Sequence, residues 1–286
     1  MNKAVLSNPV LLTSIALLAF AGNSILCRVA LKDTDIDPAS FSSIRILSGA
    51  LVLTLILWIQ PRKAVKPTLN KHSVLSAISL FIYATAFAFA YIGLSAATGA
   101  LLLFGAVQLT MIAYAIWSGE RLSLIQMFGL ALACVGVAVL LLPSSTVPQL
   151  QQAIVMMIAG IAWGAYSILG KFANDATKTA TDSFVLAIPL TLLLSLTLVE
   201  QAQLDAQGVI YAICSGAITS GLGYAIWYQV LPKLKSTVAA TAQLSVPAIT
   251  AIGGALFIGE AITLELILVT LTILSGIAMV TFAKTK

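Results

Sequence analysis

Charged side chains are scarce in this sequence. Only 9% of its 286 residues are Asp, Glu, Lys or Arg, whereas 60% are hydrophobic and the mean hydropathy is +1.04. A soluble domain usually carries about 25% charged residues, so this composition excludes a water-exposed surface over most of the molecule. We therefore predict an integral membrane protein whose surface contacts membrane lipid. The net charge of +5 requires no nucleic-acid partner, and none is expected.

Residues that hold metals, cofactors or catalytic protons are also few. The chain has three cysteines and one histidine, without the spacing of a metal site, and it lacks the G-x-x-x-x-G-K-[ST] motif that binds nucleotide phosphates. The acidic residues fall in predicted loops or at helix ends, except for Asp182, which lies just inside a helix. A membrane enzyme would need a nucleophile–base pair or a metal cluster. We therefore expect no cofactor, no direct use of ATP and no enzymatic activity.

Long apolar segments dominate the rest of the chain. Only helices and closed barrels satisfy every backbone group in lipid, and a helix needs about 20 apolar residues to cross. The segments match that length and lack the alternating pattern of barrel strands. The predicted fold class is therefore all-α, with ten transmembrane helices near residues 9–31, 38–60, 73–93, 96–117, 122–142, 150–171, 180–199, 207–230, 236–258 and 262–283.

The distribution of basic residues predicts the orientation of these helices. Ten crossings put both termini on the same side of the membrane. Of the 15 basic residues, 12 fall on that side: Lys3, Arg62, Lys63, Lys66, Lys71, Arg121, Lys171, Lys178, Lys233, Lys235, Lys284 and Lys286. Cytoplasmic loops are enriched in Lys and Arg. We therefore predict a multi-pass protein of a bacterial cytoplasmic (inner) membrane with both termini in the cytoplasm.

Two short phrases occur in both halves of the chain. The sequence AFAGNSILCRVA (19–30) matches AWGAYSILGKFA (162–173), and WSGERLS (117–123) matches FIGEAIT (257–263) in the same order. We therefore divide the chain into repeats at 1–143 and 149–286, each with five predicted helices. Because five is odd, the second repeat enters the membrane from the opposite side. Such inverted repeats are typical of secondary transporters that work by alternating access.

These segments resemble the drug/metabolite transporter superfamily, in particular its ten-helix EamA-type branch. The resemblance rests on the two matched phrases, on Arg45 in FSSIRILSGAL, and on Pro247 in LSVPAITAIGGALFIGE. Phe20 stands where the family usually has Trp, and Val107 stands opposite Pro247 without a matching proline. The resemblance implies transport of small metabolites, amino acids or drugs, commonly as efflux. A structural or signalling membrane protein and a membrane enzyme are the alternatives, and both a monomer and a homodimer are compatible with the sequence.

Polar residues near the middle of predicted helices are candidates for substrate contact. Asn23, Gln108 and Gln243 lie at that depth, where an unpaired polar group is costly. Each amide could instead bond a neighbouring helix.

Aromatic residues form a second group of candidates. Tyr83 and Phe87 share one face of a helix, and Tyr166 lies near mid-membrane. Phe87, Trp163 and Trp227 lie deep enough to line a cavity for flat, apolar or cationic solutes. Packing is the alternative for all five. Tyr91, at the end of the same helical face as Tyr83, is expected at the membrane interface.

Arg28 and Arg45 both lie within apolar segments. We expect Arg28 to extend its side chain towards water, whereas Arg45 either pairs with a protein group or binds an anionic group of the substrate. Pro247 removes a backbone donor, so it is a candidate kink and moving part. Glu120 and Glu260 are interpreted as structural residues at helix ends that bond the start of the following helix.

Overall fold

The computed structural model describes residues 8–59, 67–119, 121–140, 150–170, 175–230, 242–243 and 245–283. Every regular element in these residues is helical, which confirms the predicted all-α class. The elements are α1 Pro9–Asp33, α2 Pro38–Ile59, α3 Lys71–Tyr91, α4 Ala96–Trp117, α5 Leu124–Leu140, α6 Leu150–Gly170, α7 Ala176–Thr197, a 3-10 turn Val199–Gln201, α8 Ala206–Cys214, a π-helical segment Ser215–Leu222, α9 Gly223–Val230, α10 Ser245–Ile258 and α11 Leu264–Phe282. The π-helical segment joins α8 and α9 into one continuous rod.

Most of these helices have the length and composition of membrane spans. Eight described helical stretches are long and apolar enough to cross a bilayer, and Leu124–Val139 and Ser245–Ile258 are shorter apolar helices. Residues 231–241 and 244, where the ninth crossing was predicted to begin, lie outside the described part of the chain. Large apolar side chains such as Trp58, Trp117 and Leu256 are exposed on the surface of the bundle. These exposed side chains fit contact with lipid, as expected for a multi-pass membrane protein.

Polar side chains set the beginnings of several helices. The oxygens of Asn8, Asn70 and Ser95 each accept a hydrogen bond from an amide in the first turn of α1, α3 and α4. Asp175 and Asp205 do the same for α7 and α8. The first amides of a helix have no partner within the helix, so these short polar residues stabilise its N-terminus.

Two glycines end helices with the same backbone conformation. Gly119 follows α4 with φ 93°, and Gly259 follows α10 with φ 69°. Left-handed backbone of this kind is common just after a helix and favours glycine. Both glycines belong to the matched phrases WSGERLS and FIGEAIT, so they occupy equivalent positions in the two halves. Glu120, which follows the first glycine, lies outside the described residues, as does Lys171.

The helices of the two halves interlock. In the first half α1 packs against α8, α9 and α10, while in the second half α6 packs against α3 and α4. Similarly, α2 contacts the π-helical segment and α7 contacts α3. Three further pairs join the halves directly, namely α2 with α7, α4 with α10, and α5 with α11. The centre of the bundle therefore lies between helices that come from both halves.

Small residues allow the closest of these approaches. A Cβ atom built on Gly129 of α5 would lie 2.6 Å from the carbonyl oxygen of Gly276 in α11. A Cβ atom on Gly160 of α6 would lie 2.6 Å from the carbonyl oxygen of Leu103 in α4. Membrane helices rely on such small residues because they have no hydrophobic driving force between them. The contact at Gly160 brings α6 close to α4 beside the cavity described below.

Candidate substrate-binding site

A small internal cavity lies where α1, α3, α4, α6 and α9 meet. The space has room for roughly one water molecule. A solute would therefore fit only if these helices moved apart. Its lining residues are Phe20, Asn23 and Ser24 of α1, Tyr83 and Phe87 of α3, Leu103 and Phe104 of α4, Trp163 of α6, and Tyr224 of α9.

Trp163 is the centre of the aromatic wall of this cavity. Its ring centroid lies 4.7 Å from that of Tyr83 and 5.0 Å from that of Tyr224. It lies 5.4 Å from the ring of Tyr166 and 6.5 Å from the ring of Phe20. These tilted and edge-on arrangements are the ones that aromatic pairs prefer. The wall therefore presents ring faces and edges contributed by both halves of the chain.

Trp227 extends the same wall, because its ring centroid lies 5.7 Å from that of Phe20. Tyr91 extends it at the other end of α3, with its ring 4.7 Å from that of Phe87. Tyr91 is fully buried, and its hydroxyl donates to the carbonyl oxygen of Ala96 at 3.3 Å. The expectation that Tyr91 lies at the membrane interface is therefore wrong, because this hydroxyl finds its partner inside the protein.

Arg45 of α2 lies behind the two aromatic residues of α3 and contacts the cavity wall without lining the cavity itself. Its guanidinium carbon lies 5.1 Å from the centroid of the Tyr83 ring and 5.0 Å from that of Phe87. Its Nη2 donates to the Tyr83 hydroxyl at 3.1 Å, and its Nε donates to Ser220 Oγ at 3.2 Å. The residue is 1% exposed. Cation–π contact with two rings stabilises the charge but does not supply an anion to neutralise it.

The third nitrogen of Arg45 has no partner in the described part of the chain. Nη1 is buried and forms no hydrogen bond there. The ion pairs found among the described residues join other groups, so no carboxylate there neutralises this guanidinium. A buried, unpaired charge is costly and is found mainly where it has a function. Arg45 is therefore the strongest candidate for direct substrate contact.

Asn23 connects the cavity wall to the π-helical segment. Its Nδ2 donates to the Tyr83 hydroxyl at 3.3 Å. Its Oδ1 accepts from Ser215 Oγ at 2.7 Å. Thr219 Oγ1, which donates to the Ser215 carbonyl oxygen at 2.8 Å, lies 3.3 Å from the same Oδ1. Asn23 therefore forms the hydrogen bonds between helices that the sequence offered as one alternative. The same amide also lines the cavity.

The π-helical segment brings three hydroxyls to this site. Ser215 and Thr219 face Asn23, and Ser220 faces Arg45. A Cβ atom on Gly216 would clash with the Arg45 carbonyl oxygen and with Ser48 Oγ, so only glycine permits this close approach of α2. π-helical turns are rare and occur frequently at functional sites.

A polar cluster closes one end of the bundle, which we call the Glu260 end. Arg28 Nε and Glu260 Oε1 form an ion pair at 3.2 Å, with side chains 14% and 12% exposed. Arg28 Nη1 also donates to the carbonyl oxygens of Tyr91 at 2.8 Å and Ile92 at 3.1 Å. Glu260 Oε2 accepts a hydrogen bond from the amide of Ala96, the first residue of α4, at 2.8 Å.

This cluster corrects two expectations about its charged residues. Arg28 does not extend freely towards water, because the Glu260 carboxylate and two carbonyl oxygens supply its partners within the protein. Glu260 does bond the start of a helix, but the helix is α4 rather than the one that follows it. A carboxylate is stabilised at a helix N-terminus, because that end of the helix carries a partial positive charge.

Reciprocal contacts join the halves at both ends. At the Glu260 end, Asp37 of the first half accepts from the Gln203 amide at 3.0 Å. At the opposite end, Asp182 of the second half accepts from the Thr68 amide at 3.2 Å. Lys178 pairs with Asp182 and donates to Thr68 Oγ1 at 3.2 Å. The two contacts correspond. Asp37, just before α2, bonds the loop before α8, and Asp182, in α7, bonds the loop before α3.

The predicted candidates fall into two groups in the structure. Asn23, Tyr83, Phe87 and Trp163 line the cavity, and Arg45, Tyr166 and Trp227 contact its lining residues. By contrast, Gln108 and Gln243 are absent from the lining, although Gln108 is buried in α4.

Pro247 is buried within the first described turn of α10. The predicted kink at this proline concerns the helix before it, which lies largely outside the described residues. It therefore remains a prediction.

Several residues of the site were not singled out from the sequence. Phe20 was compared only with the family pattern, and Tyr224 and the hydroxyls of the π-helical segment were not among the predicted site residues. The phrase SGAITSG (215–221) places three hydroxyl residues within an apolar helix. Polar groups at that depth need partners, and this pattern could have indicated them.

A model of the EamA-like transporter family matches the chain twice, over residues 8–142 and 151–282. An uncharacterized protein of Pseudomonas aeruginosa is 46% identical over 270 residues, which cover 94% of this chain and 93% of that protein. The uncharacterized transporter YoaV of Bacillus subtilis is 25% identical over 271 residues, covering 88% of this chain and 90% of the relative.

A solved crystal structure also has this architecture. It covers 95% of this chain and 96% of its own, with a TM-score of 0.70 and 15% sequence identity. At this identity the likeness concerns the fold alone.

Proposed function

The chain belongs to the EamA-like transporter family, and we propose that it exports small carboxylate-bearing metabolites with an apolar or aromatic part. Aromatic amino acids and related zwitterions are the proposed substrate class. The proposed mechanism is secondary transport by alternating access across a bacterial cytoplasmic membrane.

The observation that carries this proposal is the unpartnered guanidinium nitrogen of Arg45. Nη1 is buried beside the cavity wall and has no hydrogen bond among the described residues. Arginine binds carboxylates through strong charge-assisted hydrogen bonds. A carboxylate on the solute would neutralise the charge and satisfy this nitrogen, which no described protein group does.

The aromatic wall supports the second half of the substrate description. Trp163, Tyr83 and Tyr224 present closely spaced rings, and the ring of Tyr83 lies against the guanidinium. Ring faces bind apolar and aromatic groups, and they also attract ammonium groups. A zwitterionic amino acid with a large side chain therefore offers a complement to each feature of the site.

The packing of the helices supports an inverted repeat with its division at 1–143 and 149–286. In helix order, α6 is the counterpart of α1 and α10 is the counterpart of α4. An inverted repeat therefore predicts that the contact of α1 with α10 is matched by one of α6 with α4, and both contacts exist. The reciprocal bonds of Asp37 and Asp182 follow the same exchange. The two ranges matched by the family model agree with this division. Carriers with inverted repeats alternate access by moving one repeat or bundle against the other.

The size of the cavity fits a closed intermediate of such a cycle. With room for roughly one water molecule, the site would hold a solute only after one end had opened. Opening the Glu260 end would separate Arg28 from Glu260. We further propose that this end faces away from the cytoplasm, since most Lys and Arg residues fall in the loops on the other side.

Counterflow into proteoliposomes tests the function. Purified protein would be reconstituted with unlabelled solute inside, and uptake of labelled phenylalanine, tryptophan, phenylacetate and tetramethylammonium would be compared. We expect exchange of the carboxylates and its loss in Arg45→Gln. Lys32→Gln is the matched control, because Lys32 is an exposed cation one turn beyond Arg28 on α1.

Two results would overturn the proposal. Flux of tetramethylammonium without flux of any carboxylate would reject the substrate class. Absence of flux for every solute would favour a structural or enzymatic membrane protein. Export would be tested in intact cells preloaded with the best carboxylate, where Arg45→Gln should retain more of it than the parent protein does.

A further inference from the structure

The hydroxyl of Tyr83 receives two hydrogen bonds from neighbouring side chains. Arg45 Nη2 lies 3.1 Å from the Tyr83 oxygen, and Asn23 Nδ2 lies 3.3 Å from it. A guanidinium nitrogen can donate a hydrogen bond but cannot accept one, and the same holds for the nitrogen of a side-chain amide. The phenolic oxygen therefore acts as the acceptor in both contacts. Its own proton remains to be placed.

The orientation of the Asn23 amide depends on the π-helical segment. Ser215 Oγ donates to Asn23 Oδ1 at 2.7 Å, and Thr219 Oγ1 lies 3.3 Å from the same oxygen. Ser215 Oγ donates its proton to the amide oxygen, so that oxygen faces the π-helical segment and the NH₂ group faces Tyr83. The bond from Ser215 thus sets which end of Asn23 meets the tyrosine.

The proton of the Tyr83 hydroxyl has no acceptor among the described residues. A phenol offers two acceptor positions and one donor, and both acceptor positions are used by Arg45 and Asn23. Tyr83 lines the cavity, so the space beside its hydroxyl is where an acceptor can enter. Arg45 Nη1, attached to the same carbon as Nη2, is the other unpartnered donor next to this oxygen.

We infer that Tyr83 and Arg45 form a two-donor subsite for one carboxylate of the transported solute, with Asn23 as the positioning residue. This inference rests on the proposed function and adds a specificity rule to it. One carboxylate oxygen accepts from Arg45 Nη1 and the other accepts from the Tyr83 hydroxyl. A carboxamide or an ester lacks the negative charge and the second equivalent oxygen, so the site discriminates against both.

The rule follows from the balance of donors and acceptors. Arg45 and Tyr83 together offer two free donors, while a carboxylate offers acceptor positions and no donor. A carboxamide would place its NH₂ group against one of these donors. Sites built to hydrogen-bond a substrate group reject analogues that lack it, because the buried polar groups are then left unpaired.

Binding measurements on purified full-length protein in detergent test the inference. Phenylalanine and phenylalaninamide are the matched probes, and the variants are Tyr83→Phe and Arg45→Gln. Tyr211→Phe is the control, since it removes an equal hydroxyl from α8 that bonds Gln207 and does not line the cavity. Loss of one hydrogen bond to the charged carboxylate should weaken phenylalanine binding by about tenfold in Tyr83→Phe, the low end of the range for bonds to charged groups. Phenylalaninamide binding should be unchanged in this variant, and Arg45→Gln should weaken phenylalanine binding further.

Asn23 is tested by non-additivity. Asn23→Leu removes the bond to Tyr83 at similar side-chain size, and it should weaken phenylalanine binding when Tyr83 is present. In the Tyr83→Phe background the same substitution should have no further effect, because the hydroxyl that it positions is absent. A merely structural role would weaken binding by the same factor in both backgrounds.

The outcomes separate this inference from the proposed function. If Tyr83→Phe binds phenylalanine as the parent protein does while Arg45→Gln does not, the two-donor subsite is wrong and the carboxylate transporter stands. If phenylalanine binds and Arg45→Gln has no effect, both are wrong. Absence of phenylalanine binding in the parent protein, with phenylacetate also inactive, likewise overturns both.

Discussion

Arg28 and Arg45 are two arginines within apolar helices, and the protein treats them differently. Arg28 has a carboxylate partner in Glu260 and two carbonyl acceptors. Arg45 has two hydroxyls, two aromatic rings and no carboxylate among the described residues. A charge whose partners all belong to the protein stabilises one arrangement of the helices. A charge that lacks an anion is free to bind one, and the comparison therefore separates closure of the Glu260 end from substrate recognition.

Substitution of Arg45 should have the largest effect on transport. In Arg45→Gln the site loses its charged donors, which contribute about 1.5–3 kcal/mol each in typical cases. Carboxylate exchange should therefore fall about 10- to 100-fold. The free energy of unfolding in detergent should change by less than about 1 kcal/mol, since the substitution also removes an unpaired buried charge. A parallel loss of transport and stability would show that Arg45 is mainly structural.

Substitution of Glu260 should have the largest effect on stability. Glu260→Gln leaves Arg28 without its counter-charge and removes the carboxylate from the N-terminus of α4. Because both side chains are partly exposed, we expect a loss of about 1–3 kcal/mol in the free energy of unfolding. Denaturation followed by circular dichroism measures it. Glu200→Gln, an exposed acidic residue at the same end of the bundle, should cost far less.

A double-mutant cycle sharpens the contrast between the two arginines. Arg28→Gln and Glu260→Gln should be coupled by about 1 kcal/mol, because each removes the same ion pair. Arg45→Gln and Glu260→Gln should be additive to within about 0.5 kcal/mol, since no contact joins these residues in the structure. Both cycles use the unfolding measurement. If the coupling energy of Arg45 with Glu260 were as large as that of Arg28 with Glu260, the two arginines would not differ in their dependence on this carboxylate.

Substitution of Ser220 should have the smallest effect. Ser220→Ala removes the acceptor of Arg45 Nε at 3.2 Å, and an unsatisfied buried donor costs about 1–3 kcal/mol. Because the aromatic rings continue to hold the guanidinium, we expect the low end of that range and a loss of carboxylate affinity of about fivefold. Ser14→Ala, on α1, removes a hydroxyl that bonds only its own helix and serves as the matched control in the same binding assay.

Local sequence pattern predicted the helices and part of the site. The long apolar segments indicated where most of the helices lie, and the spacing of Tyr83 and Phe87 correctly placed them on one face of α3. Trp163 and Asn23 were also selected because aromatic and amide groups deep in a membrane helix need a specific environment. These properties depend on a residue's own segment and on the lipid around it.

The pairing of Arg28 with Glu260 could not be found in the same way. The two residues are separated by 232 positions, and each has a plausible local role when its helix is considered alone. Likewise, the close approach of α2 to the π-helical segment at Gly216 joins residues that are far apart in the chain. Pattern within one helix contains no information about which helix from the other half lies beside it.

The sequence by itself determined that the chain is an all-helical membrane protein, because a surface with so few charges cannot face water and lipid permits few backbone structures. It also determined that two similar halves make up the chain. Only the tertiary structure decided which buried charge has a protein partner, since that depends on contacts between residues far apart in the chain. It assigned Glu260 to Arg28 and left Arg45 beside the aromatic cavity without a carboxylate among the described residues.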